Sequence, residues 1–354
     1  MTSEQAARLA PLLAAAQRLQ DPADVLGCAA RERLTAQTGL SRAGVDLAIE
    51  LCLEAHPSQQ ELTALCASVT PSKRSHVLLS ANAFVAAHRA IALALAASPN
   101  VFVRASRREP EMARFLHEAS HGCFELVEAL EPTSRDQLFA FGSDQTLATV
   151  RSTLPTGVRC HSHGMGFGLL LVQASALPSE SKLFDLANVL VRDVVLFDQR
   201  GCLSPRTILF EGDQEAARGF ARALQAALEA WSSRVPRGAL SAEEQQELTS
   251  FRQTLRYAGD FYDTNAGAIG VLGSAVSFVL PPTGRHLLVQ ATADALAPLN
   301  SLARYVTTFG YVGTEAFRDG AAAALPQARI AQIGELQRPA FDGPVDRRGA
   351  GRAR

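Results

Sequence analysis

The sequence predicts an α/β fold in which a helical N-terminus precedes two successive sets of strands joined by helices. Three observations carry this reading. As far as about residue 68, apolar residues recur at three- and four-residue spacing, the period of a helix. Short apolar runs then alternate with longer amphipathic segments, the β-α-β-α order of a parallel sheet with crossover helices. A second series of short apolar runs starts near Arg159 and continues the pattern through the C-terminal half.

In order, "ARLAPLLAAAQRL" and "AGVDLAIELCLEA" are the N-terminal helical stretches. "HVLLSA" follows as a strand, "VAAHRAIALALAA" as a helix and "NVFVRAS" as a strand. "EPEMARFLHEASHGCFELVEAL" reads as a helix opened by acids, then "QLFAFGS" as a strand and "DQTLATVRSTL" as a helix. The second set comprises "RCHSHG", "GLLLVQA", "DVVLFDQ" and "TILFEG", followed by a long helix from Gln214 to Ser233. "AVSFVLPP" and "HLLVQAT" are further strands, with a helical stretch around Leu296 to Tyr305. The basic tail "DRRGAGRAR" is expected to be disordered, and no internal repeat is present.

Composition excludes several classes of function. A chain of 354 residues can hold two domains with real cores, and a net charge of −1 offers no field for nucleic acid or an anionic membrane. The only lysines are Lys73 and Lys182, and neither follows a glycine-rich loop, which argues against Schiff-base and Walker-type chemistry. The six cysteines form no Cys-x-x-Cys pair. The N-terminus lacks the basic and apolar regions of a signal peptide. The longest apolar stretch, Ala266 to Pro282, is interrupted by glycine and serine and makes no clean membrane span. The expectation is a soluble protein of the reducing cytoplasm.

A parallel sheet binds ligands at the carboxyl ends of its strands. "SAN", "RAS" and "FGSDQT" stand there. The dinucleotide fingerprint Gly-x-Gly-x-x-Gly is absent, since Gly164, Gly166 and Gly168 in "HGMGFG" have the wrong spacing. Cys202, in "FDQRGCLSP", lies just beyond an apolar run, at what reads as a strand exit. A turn rich in backbone N–H groups there would favour a thiolate, and Gly201 lets the backbone approach a ligand. Alternation places Arg159, His161 and His163 on one strand face, with Cys160 and Ser162 on the other. A histidine of this strand is a candidate proton donor. Zinc binding is disfavoured, because adjacent strand residues point apart and no fourth ligand cluster is evident, so no metal is expected.

From about Val77 to Gly343 the chain resembles the acyl-CoA reductases of the bioluminescence fatty-acid reductase (LuxC) type, within the aldehyde dehydrogenase superfamily. "FDQRGCLSP" resembles the family's nucleophile loop, with the Gln-x-x-Cys spacing of aldehyde dehydrogenases. "FGSDQTLATVRSTLPTG" resembles its strand, turn and helix. "LLSANAFVAAHRAIALALAASPNVFVRASRREP" resembles the asparagine-anchored turn and following strand, and "GELQRPAFDG" the C-terminal signature. The resemblance implies an aldehyde dehydrogenase-like fold with an N-terminal helical segment (1–68), a nicotinamide-cofactor domain (69–163), a catalytic domain (164–318) and a C-terminal return segment (319–354).

It further implies that Cys202 attacks a thioester, with the Asn82 amide and the Cys202 backbone N–H receiving the oxyanion. His161 or His163 would serve as proton donor. Arg104, Ser106, Arg107, Gly142 and Ser143 would hold the cofactor; forked arginines suit a 2′-phosphate and so favour NADPH over NADH. The implied substrate is an acyl-CoA or acyl-carrier thioester, with an acyl-transferring partner enzyme and a homo-oligomeric state, for which the "GELQRPAFDG" region is a candidate contact. Aldehyde dehydrogenases carry a glutamate base on the strand before the nucleophile loop, whereas "RCHSHGMGFG" has no acid, which favours reduction over aldehyde oxidation. Two other classes stay open at the sequence level. One is a non-catalytic aldehyde dehydrogenase-like binding protein; the other is a Cys-His acyltransferase or hydrolase that needs no nicotinamide.

Overall fold

The computed structural model describes residues 1–273 and 278–348. The chain forms two compact units, one of Met1–Thr38, Val45–Met165 and the residues from Ala340 onward, the other of Gly39–Gly44 and Gly166–Pro339. Four helices come first: α1 (Ser3–Gln20), α2 (Val25–Thr38), α3 (Arg42–Cys52) and α4 (Gln59–Ala67). A reciprocal pair of bonds between Thr2 and Gln5 starts α1, and the same device between Ser58 and Glu61 starts α4.

The first unit then alternates β1 (Arg74–Leu78), α5 (Ala86–Ala97), β2 (Asn100–Arg104), α6 (Glu111–Ala119), β3 (Glu125–Leu126), β4 (Gln137–Phe141), α7 (Asp144–Thr153) and β5 (Arg159–His163). Its strands lie in the order β3-β2-β1-β4-β5, all parallel. The direction of the strand order switches beside β1, and sheets of this kind bind ligands outside the carboxyl ends of the strands at that point. The helix expected over residues 109–130 is shorter. It stops at Ala119 because His121 and Gly122 adopt left-handed backbone (φ 54° and 76°), with the Gly122 N–H donating to the His117 carbonyl at 2.9 Å.

Helix α5 is apolar on every face, and Ala87 to Ala97 are all buried. Its two polar residues hold the C-terminal return. Arg89 pairs with Glu54 and donates to the carbonyls of Ala340 and Gly343, both at 2.8 Å. His88 stacks on Phe341 at 5.2 Å. Burial pushes its pKa down to about 3, so it packs as a neutral ring.

The second unit contains β6 (Phe167–Gln173), α8 (Glu180–Val195), β7 (Pro205–Glu211), α9 (Gln214–Arg234), α10 (Ala242–Ala258), β8 (Asp260–Thr264) and β9 (Gly267–Leu272). It continues through β10 (His286–Thr292), α11 (Leu299–Leu302), β11 (Val306–Val312), α12 (Glu315–Ala324) and β12 (Arg329–Ile330). The sheet runs β12-β11-β6-β7-β10-β9-β8, antiparallel only between β8 and β9. The apolar runs of β6, β7 and β10 are buried almost throughout, as interior parallel strands require.

Two expectations about this unit are corrected. "DVVLFDQ" is not a strand: Asp193 to Val195 are the last turn of α8, and Leu196 to Gln199 form a tight turn. A short β-branched run at the end of an amphipathic helix cannot be told from a strand by period alone. Cys202 therefore precedes a strand rather than leaving one. The helical stretch over 296–305 shrinks to the single turn of α11. Of the expected strand "AVSFVLPP", residues 275–277 lie outside the described residues and 278–282 are not strand. The tail from residue 349 also lies outside them.

Arg89→Leu should lower the stability of the protein by about 2–4 kcal/mol, because it strands Glu54 and two carbonyls. Limited proteolysis should then cut the chain near Ala340 well before cutting α5; cleavage rates equal to wild type would refute the tie.

Candidate active site

The residues singled out in the sequence fall into both units. In the second, the chain leaves α8 through three consecutive non-glycine residues in left-handed backbone: Phe197, Asp198 and Gln199 (φ 55°, 49° and 63°). Each such residue costs about 1–2 kcal/mol. The cost is offset by contacts that leave little freedom. Asp198 Oδ1 accepts from Arg285 Nε at 2.7 Å, and its Oδ2 accepts from the Gly238 N–H at 2.9 Å. The Asp198 carbonyl accepts from the Gly284 N–H at 2.9 Å. Arg285, itself left-handed (φ 69°), gives its other nitrogens to the carbonyls of Val235 (2.7 Å) and Pro236 (3.3 Å). Gln199 donates from Nε2 to the carbonyls of Pro205 and His286, each at 2.8 Å, and its Oε1 accepts from the His286 N–H at 2.6 Å.

Beyond this turn Arg200 pairs with Glu244 at 2.9 Å. Ser204 N–H closes a turn onto the Gly201 carbonyl at 3.1 Å, and the Ser204 carbonyl accepts from the Gly168 N–H at 2.8 Å. That approach explains Gly168: a Cβ there would stand 2.3 Å from the Leu203 carbonyl oxygen. Gln337, in the C-terminal signature, donates to Ser204 Oγ (2.5 Å) and to the Asp193 carbonyl (3.2 Å). From Leu196 to Pro205 every residue is buried or half-buried except Cys202, which is exposed. A clamped loop thus presents one side chain, a thiol.

In the first unit, a cavity of about 510 Å³ lies at the carboxyl ends of β1 and β2 and against α7, lined by Leu79, Arg104, Ser106, Arg107, Thr146 and Thr149 among others. Arg104, Ser106 and Arg107 are brought together there, and Thr146 and Thr149 join them from α7. Gly142 and Ser143 do not line the cavity. Ser143 Oγ caps α7 by accepting from the Thr146 N–H at 3.2 Å, and Gly142 donates its N–H to the His163 carbonyl at 3.3 Å. Asn82 is exposed, and Arg108 Nη2 donates to its Oδ1 at 3.3 Å. That bond assigns the amide oxygen and leaves the Nδ2 hydrogens for an acceptor.

On β5, alternation holds as expected. Cys160 Sγ meets Ser162 Oγ at 3.3 Å on one face. On the other, His161 stacks on Phe139 (4.8 Å) and His163 on Phe141 (4.5 Å). Gln137 gives its Nε2 to the Thr70 carbonyl, so its Oε1 must accept from His161 Nε2 at 2.9 Å, which places the neutral ring's proton on that nitrogen. Burial, helped by the charge of Arg159, lowers the pKa of His161. Burial pushes His163 down to about 4 against the pull of Asp346. Both rings are neutral at neutral pH, so neither is a ready proton donor. Among the described residues no group of three potential ligands could hold a metal ion.

The fold is that of the aldehyde dehydrogenases. An NAD-dependent benzaldehyde dehydrogenase from Corynebacterium glutamicum is similar over 96% of this chain and 84% of its own, at 14% identity with a TM-score of 0.66. A gamma-glutamyl-gamma-aminobutyraldehyde dehydrogenase from Burkholderia cenocepacia is similar over 93% and 76%, at 16% identity and a TM-score of 0.69. HpcC from Thermus thermophilus is similar over 94% and 74%, at 16% identity and 0.68. The model of the acyl-CoA reductase (LuxC) family matches residues 125–343. That is more than half of the chain, and the chain belongs to this family, which places it among oxidoreductases acting on acyl groups. No curated protein sequence matches it. No helix among the described residues is long and apolar enough to cross a membrane.

Sequence reasoning missed Arg285, whose partner lies 87 residues away and whose only local signal is the preceding glycine of a turn. It also missed Asp193. This carboxyl is fully buried; its Oδ2 accepts from the Gly334 N–H at 2.7 Å, while its Oδ1 has no partner among the described residues. Burial raises its pKa to about 7, against the pull of the backbone N–H groups of Leu336, Gly334 and Gln337. The folded carboxyl therefore keeps its proton up to about pH 7, whereas the unfolded one loses it near 3.8. The folded state binds more protons in that window, so stability falls as pH rises through it. Asp193→Asn keeps an acceptor for Gly334 and cannot charge. Its melting temperature should exceed that of wild type by several degrees at about pH 8 and match it at about pH 4; a constant difference at all pH values would rule the account out.

Proposed function

We propose that the protein reduces an acyl thioester, with fatty acyl-CoA as the leading substrate, to an aldehyde through an acyl-S-Cys202 intermediate. The observation that supports this most strongly is the exposure of Cys202 alone on a loop otherwise buried and hydrogen-bonded, in a chain of the acyl-CoA reductase family. A nucleophile must be held still and yet reachable, and the loop meets both demands.

The Cys202 thiolate attacks the thioester carbonyl, forming a C–S bond and an oxyanion. Collapse breaks the bond to the carrier sulfur, which leaves as thiolate and takes up a proton. The Cys202 backbone N–H and the Asn82 amide are the proposed oxyanion donors. The cavity of the first unit fits a nicotinamide cofactor: two guanidinium groups and three hydroxyls suit phosphate and ribose oxygens, and they stand at strand ends where such ligands bind. Arg104, Ser106 and Arg107 would hold it, with Gly142 and Ser143 beside them shaping the start of α7. The pair of arginines favours NADPH over NADH. When bound, the reduced cofactor supplies a hydride to the acyl carbon. Cys202 then departs as the C–S bond of the thiohemiacetal breaks, releasing aldehyde. His161 and His163, neutral and packed on phenylalanines, are assigned to orienting the strand rather than to proton donation.

The test is NADPH consumption with aldehyde trapping over acyl-CoAs of increasing chain length. Wild type should turn over and Cys202→Ala should not; turnover that survives the substitution would sink the proposal. Asn82→Ala should lose about 10²–10³-fold in kcat with little change in cofactor affinity. Arg104→Ala and Arg107→Ala should raise KM for NADPH about tenfold or more and leave that for NADH nearly unchanged. His163→Gln should cost less than about tenfold in kcat, since a packed neutral ring transfers no proton; a larger loss restricted to kcat would return the donor role to that residue.

A further inference from the structure

We propose that Asp198, Gln199 and Arg285 are positioning residues that set the reactivity of Cys202 by holding its loop in the left-handed turn. The proposal rests on the reading of Cys202 as the nucleophile. None of the three can touch a substrate, because all are at most 2% exposed. They act through the backbone that runs three residues from Gln199 to the thiol.

The geometry is specific to this purpose. A chain that merely had to connect α8 to β7 could do so through ordinary backbone, yet three successive residues take the conformation that side chains avoid. Arg285 spends all three donor groups of its guanidinium on this turn and its neighbours, and Gln199 satisfies three backbone partners with one amide. The Gln199 contacts tie the turn to the starts of two neighbouring strands: the Pro205 carbonyl begins β7 and the His286 backbone begins β10. Whatever moves this amide moves the loop against the sheet that carries it.

Gln199→Glu is the informative variant. A carboxylate there would face the carbonyl oxygens of Pro205 and His286 and repel both, whereas the protonated acid donates to one of them and still accepts from the His286 N–H. Asp198 is paired with Arg285, and Arg200 with Glu244. Arg237 donates to the Ala266 carbonyl, Arg206 stays charged even with burial lowering its pKa to about 10, and burial keeps His286 neutral by pushing it down to about 3. Asp193, whose carboxyl burial raises to about 7, titrates in wild type and variant alike, so the ratio to wild type reads the introduced carboxyl.

The measurement is the rate at which the full-length protein acquires an acyl label from acyl-CoA without nicotinamide, read by mass spectrometry. Wild type, Cys202→Ala, Gln199→Glu and Arg285→Lys are compared from about pH 5.5 to about pH 8. NADPH affinity by fluorescence serves as the check on folding. We expect the rate ratio of Gln199→Glu to wild type to be down about 10- to 100-fold at the alkaline end and to climb toward one in acid. Arg285→Lys, which retains one donor for Asp198 but loses the fork, should be slowed about tenfold or less at every pH, with both variants binding NADPH normally. Wild-type labelling by both variants, with Cys202→Ala unlabelled, overturns the positioning role and leaves the nucleophile intact. Full labelling of Cys202→Ala overturns the nucleophile and this proposal with it. If Gln199→Glu loses NADPH binding, Arg285→Lys decides: slowed labelling with intact NADPH binding supports the role, and any other result overturns it.

Discussion

The pairing of Arg285 with Asp198 is the contact on which the loop of the proposed nucleophile, Cys202, depends. A buried ion pair is weak evidence for stability, since well-packed apolar residues often do as well. What it supplies here is a conformation. Three left-handed residues in a row would relax to a commoner turn unless each polar group had a fixed partner, and the Asp198 and Gln199 side chains are anchored to backbone of three separate segments. The guanidinium reaches the segment at Val235 and Pro236 as well, so the turn, the connection after α9 and the start of β10 are fastened by one side chain. The close approach of Leu203 to Gly168 and the Gln337 bond to Ser204 complete the loop from its other side.

The cavity end of the first unit's sheet handles its polar groups differently. Along the loop of the second unit, charges are buried and paired. On the edge strand β5, the half-buried rings His161 and His163 are neutral and stacked on phenylalanines, while the arginines stand around the cavity. This division suits the two tasks that the proposed function assigns. A covalent step needs a fixed backbone, which buried pairs provide; binding a phosphorylated cofactor needs charges that water and ligand can reach.

Much of this was legible in the sequence, and the remainder was hidden for identifiable reasons. The alternation of β5, the strand ends that gather Arg104, Ser106 and Arg107, and the place of Cys202 beside a glycine all follow from local pattern. "DVVLFDQ" misled because its apolar residues finish α8, and the left-handed turn after it has no glycine to announce it. Strand β9 lies within a glycine-rich apolar stretch that reads equally as loop or strand, and its partner β8, "DFYDT", is short and polar at both ends. Helix α10 did carry a signal, the Ser241 and Glu244 capping pair, that was passed over. Arg285 could not be found by any local rule, because its meaning lies in a partner 87 residues away.

The same packing bears on the fate of an acyl group on Cys202. Hydrolysis of an acyl-enzyme needs a base that can reach a water beside the carbonyl. The two carboxylates of the segment that leads into the loop, Asp193 and Asp198, are unfit for that work. Asp198 is buried, and its two oxygens are taken by Arg285 and the Gly238 N–H. Asp193 is raised to about pH 7 by burial, the range of a useful base, but it lies within the last turn of α8 at 0% exposure and no water reaches it from outside. The clamp around the proposed nucleophile thus also keeps these two acids from contact with solvent. If Cys202 carries the acyl group as proposed, neither of these acids can activate water against it, which favours the hydride transfer that aldehyde formation requires.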